Sequence, residues 1–355
     1  MDNLIHQYTD ALELLRGMIA LPSYSREEDR TADLISQFLE NKGVNVKRSG
    51  NNCWALNKYF REDRPTILLN SHHDTVRPNP AYTRDPFDPA VEAGRLFGLG
   101  SNDAGGSLVG LIEAFLHFYE KGDLKFNLVL TATAEEEISG LNGIESILPL
   151  LPPVDFAIVG EPTLTDLAIA EKGLLVLDCT SYGRAGHAAR EEGDNAIYKA
   201  LADIDWFRKY TFPKNSEALG QVKMTVTIIN AGQQHNVVPA VCHFTVDVRV
   251  TDAYTQEEIL EEIRSRVSCE VMPRSLRMRS SRIDRHHPVV EAAVALGKKL
   301  YGSPTTSDQA LIPSPSVKIG PGDSARSHSA DEFIYLEEIR EGIHCYISLL
   351  DKIIS

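Results

Sequence analysis

At 355 residues the chain exceeds what one hydrophobic core usually holds, so two domains of unequal size are expected. Its composition, 43% hydrophobic and 24% charged, speaks against disorder or low complexity. With 36 Lys plus Arg against 50 Asp plus Glu, a formal charge of −14, nucleic acid and an anionic membrane are disfavoured as partners.

The first twenty residues are acidic where a signal peptide needs a basic start, and no apolar run approaches membrane-spanning length. Segments 7–20 and 26–42 read as helices. The second has Ser25 before an acidic first turn and gathers Ala32, Leu34, Ile35, Phe38 and Leu39 on one side. Apolar runs at 66–70, 127–131 and 155–159 read as strands, and 107–119 as a helix with Leu108, Leu111, Ile112 and Phe115 in one stripe. Strands alternating with helices predict an α/β fold, a mostly parallel, doubly wound sheet covered on both faces.

From Gly173 the rhythm changes to strand 174–181, helix 194–210, strands 222–230 and 241–251, helix 255–267 and strand 269–278. This β-α-β-β-α-β order predicts a ferredoxin-like domain with a one-sided sheet. After Ile283 come a helix at 289–301, a strand at 317–319, the glycine-rich stretch GPGDSARSHSADEF and a helix near 336–353. The larger domain is therefore expected to be discontinuous, 1–172 and 284–355, with 173–283 inserted. Five cysteines are scattered without a CxxC pair, which predicts reduced thiols and a cytoplasmic protein.

Acids and histidines gather just beyond the apolar strands, at the carboxyl end where open α/β sheets place ligands. His72 and Asp74 stand two apart in TILLNSHHDTV, Asp103 lies in LFGLGSNDAGGS, Glu135, Glu136 and Glu137 end LVLTATAEEEISG, Glu161 ends FAIVGEPT, and His328 lies in the late glycine-rich stretch. Adjacent glutamates repel one another unless they face cations or water. Imidazoles and carboxylates without a thiolate suit Zn, Mn or Co, and two such ions sharing a carboxylate sit about 3.5–4 Å apart. His73 points away from its neighbour and reads as structural. From the residues alone the proton-transferring glutamate is Glu135 or Glu136.

The segments S-H-x-D-T-V, G-x-x-D-x-x-G, E-E-E, G-E-P and S-H-S-A-D-E, in this order, resemble the dizinc deacylase and exopeptidase family. Acetylornithine deacetylase, succinyl-diaminopimelate desuccinylase, aminoacylase and glutamate carboxypeptidase belong to it, and the resemblance spans essentially the whole chain. It implies two zinc ions, with Co or Mn able to substitute. His72 and Glu161 would hold one ion, Glu137 and His328 the other, and Asp103 would bridge them. Asp74 would orient His72. Glu136 would be the general base, with Glu135 in a supporting place.

On the inserted domain the resemblance makes His187 of SYGRAGHAARE an oxyanion-stabilising residue that reaches the partner subunit's site, in a homodimer formed through that domain. It makes Asn236 and Arg249 binders of the substrate carboxylate, although paired polar residues on a strand also brace one another. Gly320 and Gly322 would shape a substrate-binding loop, and the bond after Asp103 would be cis. The implied reaction is hydrolysis of an N-acyl amino acid in amino-acid, chiefly arginine, biosynthesis. N-acetylornithine leads, with N-acetylcitrulline, N-succinylornithine and N-acetyl-lysine as close relatives. The segments around Lys172 and Arg326 resemble the acetylornithine and acetyl-lysine branch more than the desuccinylase branch. A dipeptidase or exopeptidase shares all the ligands, and a metal-free binding protein of the same fold would lack some of them.

Overall fold

A computed structural model describes residues 2–354. The chain divides into two compact units, Met1–Ile169 with Arg282–Tyr301 and Ser307–Ser355, and Ala170–Ser281 with Gly302–Thr306.

The first unit is α/β. Four parallel strands, Asn127–Thr133, Thr66–His72, Phe156–Val159 and Ser316–Lys318, lie side by side in that order. Every residue of Thr66–His72 and Asn127–Thr133 is buried, as strands covered on both faces require. Ile67 and Leu69 face one core with Leu108, Phe115 and Tyr346. Leu68 faces a second with Val129, Ile144 and Val159. Helix Gly106–Tyr119 packs tightly against the terminal helix Leu336–Ile354; a Cβ on Gly110 would stand 3.0 Å from the Tyr346 ring, so glycine sets that approach.

The sheet is mixed, not wholly parallel. The hairpin Val46–Ser49 and Asn52–Leu56 adds antiparallel strands beside Asn127–Thr133, and Leu167–Glu171 pairs antiparallel with Ser316–Lys318. Two expected helices also change. The second begins at Asp29, not 26, because Arg26 has φ 76, a left-handed conformation that cannot open a helix. The helix expected over 289–301 spans Pro288–Ala295 and stops at Gly297, φ 77; the chain then extends as Leu300–Ser303.

In the second unit, strands Gly173–Tyr182, Lys223–Ala231, Val241–Val250 and Glu270–Pro273 form an antiparallel sheet. Their spatial order puts Lys223–Ala231 at one edge and Glu270–Pro273 at the other. With helices Ala196–Lys209 and Gln256–Arg266 this is the split βαβ arrangement. Leu175, Leu177, Cys179, Phe244, Val246 and Val248 meet the helices in one core. The second helix starts on a capping box, Thr255 with Glu258. The last strand is shorter than the run 269–278, ending at Pro273, which has no N–H to extend a ladder.

Candidate metal centre

Three of the four parallel strands deliver acids to one sheet edge. His72 pairs with Thr133 and Asn70 with Val159, so the strands end together. Asp74, the glutamates at 135–137 and Glu161 follow directly. Asp103 arrives on the turn Ser101–Gly105 and His328 on the loop 323–332. The Asp103–Ala104 peptide is cis.

At this edge Nε2 of His72 lies 3.4 Å from Oδ1 of Asp103 and 3.9 Å from both Oε2 of Glu136 and Oε1 of Glu161. Nε2 of His328 lies 3.0 Å from Oε2 of Glu137 and 3.7 Å from Oδ2 of Asp103. Asp103 thus stands between two imidazoles, one oxygen toward each. Ligand atoms of His72, Asp103 and Glu137 all lie within 4.8 Å of one another.

His72 is oriented from behind. Its Nδ1–H donates to the Asp74 carbonyl oxygen at 3.0 Å, with an Asp74 carboxylate oxygen 3.4 Å from the same nitrogen. That carboxylate also accepts from Ser25 Oγ (2.6 Å) and from the backbone N–H of Glu136 (3.1 Å) and Glu137 (3.2 Å). Ser25 is therefore engaged by Asp74 instead of starting a helix. Nε2 of His72 is buried without a hydrogen-bond partner. A lone pair facing carboxylates is repulsive unless a cation stands between them, so the donor set fits a divalent ion.

The acids are strongly coupled to this environment. Burial opposes a charged His72, yet Glu136, Asp103 and Asp74 raise its pKa well above the ordinary value. Burial pushes Glu136 well above the carboxylate range, against the pull of His72 and with Glu161, Glu137 and Asp308 adding to the rise. Desolvation works to raise Asp103 as well, but His72, Ser327 and His328 keep it low. Its hydrogen bond to Glu137 lifts His328 to about 9.

Of the glutamate triplet, Glu135 turns away. With φ 55 it sends its carboxylate to Asn142, accepting from Nδ2 at 2.9 Å. His73 is likewise turned inward, bonded to Thr31 Oγ1 and the Asn51 carbonyl; burial lowers it to about 4. Arg326 faces Glu338, with both carboxylate oxygens within 2.9 Å of Nη2, and the Phe333 ring, while its Nε and Nη1 are buried without a hydrogen-bond partner.

Gly320 is engaged within the protein on both sides. Its N–H donates to Thr163 Oγ1 and its carbonyl accepts from Thr165 N–H, and a Cβ there would meet Ser107, Tyr346 and Glu161 within 2.6 Å. Gly322, φ 88, would put a Cβ 2.5 Å from Asn102. Both glycines let the loop approach its neighbours closely.

The second unit brings two of its three candidates together. Gly186–His187 pairs with Val237–Val238, and Ala188 N–H donates to the Asn236 carbonyl at 3.0 Å. His187 and Asn236 are both exposed. Arg249 stands near the other end of strand Val241–Val250, roughly 26 Å along the chain from Val241 at about 3.3 Å per residue. It is forked onto Asp247, with Nε 2.8 Å and Nη2 3.0 Å from the two carboxylate oxygens.

Two buried acids escaped the sequence reading. Asp308 accepts from Asn70 Nδ2 (2.9 Å) and Thr133 Oγ1 (2.7 Å), and burial raises it to about 6. No local pattern marks it, since its partners are remote in sequence. Glu332 accepts from the backbone N–H of Asn102 and Asp103. It is the last residue of the S-H-S-A-D-E segment, which was the available signal.

The peptidase family M20/M25/M40 matches this chain over residues 68–352. A succinyl-diaminopimelate desuccinylase of Cereibacter sphaeroides is 28% identical over 74% of each chain. An acetylornithine deacetylase of Proteus mirabilis is 28% identical over 93% of this chain and 94% of its own length. Among solved structures, a tripeptidase of Staphylococcus aureus superposes with a TM-score of 0.78 at 19% identity, covering 98% of both chains. Among the described residues no helix is long and apolar enough to cross a membrane.

Proposed function

The chain belongs to the peptidase family M20/M25/M40, and on that premise we propose that it is a two-metal amidohydrolase acting on N-acyl amino acids, N-acetylornithine foremost. The observation that carries this reading is Asp103 set between His72 and His328, one oxygen toward each, with the Nε2 of His72 buried and unpartnered. His72 and Glu161 would hold one ion, Glu137 and His328 the other, and Asp103 both. Zinc is the proposed metal, because the donors are imidazole and carboxylate at neutral pH. Bound divalent ions there would lower the pKa of water and polarise the amide carbonyl.

The remaining steps fall to side chains. Glu136, half-buried beside His72, accepts a proton from water and returns it to the departing nitrogen as the C–O bond forms and the C–N bond breaks. Asp74 keeps His72 in the tautomer that presents Nε2. Arg249, beside Lys223 in the register of neighbouring strands, binds the substrate carboxylate, exchanging part of its fork with Asp247.

His187 and Asn236 share one ribbon, set a strand's length from Arg249. His187 is proposed to reach the partner subunit's site and steady the oxyanion there, and Asn236 to bind the substrate carboxylate with Arg249. The homodimer is proposed to form through the second unit. Its edge strand exposes Ile228 and Ile229, and its first helix exposes Tyr198 and Leu201, an apolar face that association would cover. Mixing inactive His187→Ala and Glu136→Gln chains tests this: subunit exchange should restore activity if the site is shared, and none should return if it is not. The five thiols are all free and buried, in keeping with a cytoplasmic enzyme of arginine biosynthesis.

The substrate is tested by kcat/KM on N-acetylornithine, N-acetylcitrulline, N-succinylornithine, N-acetyl-lysine, N-succinyl-diaminopimelate and a dipeptide. Preference for an N-acetyl or N-succinyl ornithine-type substrate supports the proposal. Preference for the dipeptide would move the chain to the exopeptidases, and preference for the diaminopimelate derivative would make it a desuccinylase like the Cereibacter relative.

A further inference from the structure

His328 differs from the other proposed ligands in how it is held. It sits at φ 58, its side chain is 55% exposed, and no strand carries it. Something else must fix its distance from Asp103.

Two ties do so, one at each end of the loop 323–332. At the first end the Asn102 side chain pairs with the Asp323 backbone in both directions: Asp323 N–H donates to Asn102 Oδ1 at 3.0 Å, and Asn102 Nδ2 donates to the Asp323 carbonyl at 3.1 Å. At the second end one oxygen of Glu332 accepts from Asn102 N–H at 2.9 Å and Asp103 N–H at 3.0 Å. The Glu332 carbonyl accepts from Gly98 N–H at 3.0 Å, just before that turn, where Phe333–Tyr335 pairs with Arg95–Phe97. Glu332 is 2% exposed, and a carboxylate so buried is costly unless it meets donors. The turn Ser101–Gly105 departs from helical dihedrals at Asp103 and Ala104, and its Asn102 and Asp103 N–H groups are taken up by Glu332.

We propose that Glu332, with the Asn102–Asp323 pair, is a positioning residue that clamps the His328 loop to the Asp103 turn and thereby fixes the second metal position relative to the first. The inference rests on the two-metal reading above. The His72 imidazole does not use the clamp, because His72 ends a strand paired on both sides and is oriented by Asp74; the Asp103 oxygen facing it is the one part of that half the clamp touches. Loosening the clamp should therefore weaken one ion and spare the other. Residues behind metal ligands commonly carry about 10–100-fold of metal affinity, and an effect of that size is expected here. Glu332→Gln keeps an amide oxygen for the two N–H groups and should nearly restore affinity. Glu332→Ala leaves both donors buried and unpaired.

The test is stepwise titration of the metal-free full chain with zinc against a chromophoric chelator, with cobalt absorption as a second readout and circular dichroism to verify the fold. In the wild type two binding steps are expected; a single step or none would reject the two-metal reading itself. Given two steps, Glu332→Ala should weaken only the weaker step, by about 10–100-fold, with Glu332→Gln within a few-fold of wild type. Two unchanged steps in a folded Glu332→Ala chain would overturn the clamp, as would equal weakening of both steps. If Glu332→Ala does not fold, Asn102→Ala, which releases the other end, decides by the same criteria. Loss of fold in both variants would also overturn the proposal, since the ties would then serve the fold and not the metal.

Discussion

His72 and His328 offer the same kind of nitrogen to the same carboxylate, yet their side chains are 2% and 55% exposed. His72 ends a central parallel strand whose backbone groups are already paired, so its position comes with the sheet. His328 lies on a loop, and its position depends on ties to Asp103 and on Glu137. The difference teaches that a shared carboxylate can join a rigid half-site to an adjustable one. The His72 half should hold its ion more tightly.

The largest effect expected is on the base. Glu136→Gln should lower kcat by roughly 10²–10⁴-fold while both ions remain, because Glu136 lies near His72 but holds no ion in this account. Glu137→Gln should instead release the ion of the His328 half. Kinetic and metal analysis of the two variants separates these outcomes, and exchanged phenotypes would shift the assignment by one residue.

Removing the imidazoles sharpens the contrast. His328→Ala should leave about one tightly held equivalent of zinc, whereas His72→Ala should leave none, since it strips the buried half and exposes Asp103 to uncompensated repulsion from Glu136 and Glu161. Metal content after gel filtration measures both. Equal losses would mean that burial does not distinguish the halves.

Much of this site was legible because chemistry sits directly after apolar strands: Asp74, Glu136, Glu137 and Glu161 need only a parallel sheet to meet. Asp103 and His328 depended on the family resemblance, since nothing in a glycine-rich stretch says where its loop folds. Partners far apart in sequence were not legible. Ser25 resembles a helix start but bonds to Asp74, Asp308 meets Asn70 across 238 positions, and Glu332 meets Asp103 across 229. The helix at 288 lost its last turns to Gly297, where apolar periodicity outran a left-handed glycine. Arg249 was placed by the resemblance alone, and its fork onto Asp247 two residues earlier is the bracing that paired polar residues on a strand suggest.

The smallest effect is one of pH on the metal-stripped protein. The fold raises His328 from 6.5 to about 9, so its contribution is complete below 6.5 and lost as pH rises through 9. The fold raises Glu332 from 4.5 to about 8, favouring the neutral acid, and that contribution is likewise lost as pH rises through 8. Both signs agree. The Tm of the stripped protein should fall modestly from pH 6.5 to 9, and His328→Ala should fall less. A Tm that rises over this range would contradict the electrostatics drawn around the second half-site.

The most direct measurement follows N-acetylornithine hydrolysis as zinc is returned, in counted equivalents, to a chelated sample verified as metal-free. No turnover is expected at zero equivalents, with recovery on adding zinc or cobalt and full activity requiring the second equivalent that fills the His328 half. Undiminished hydrolysis in the metal-free sample would contradict the two-metal reading.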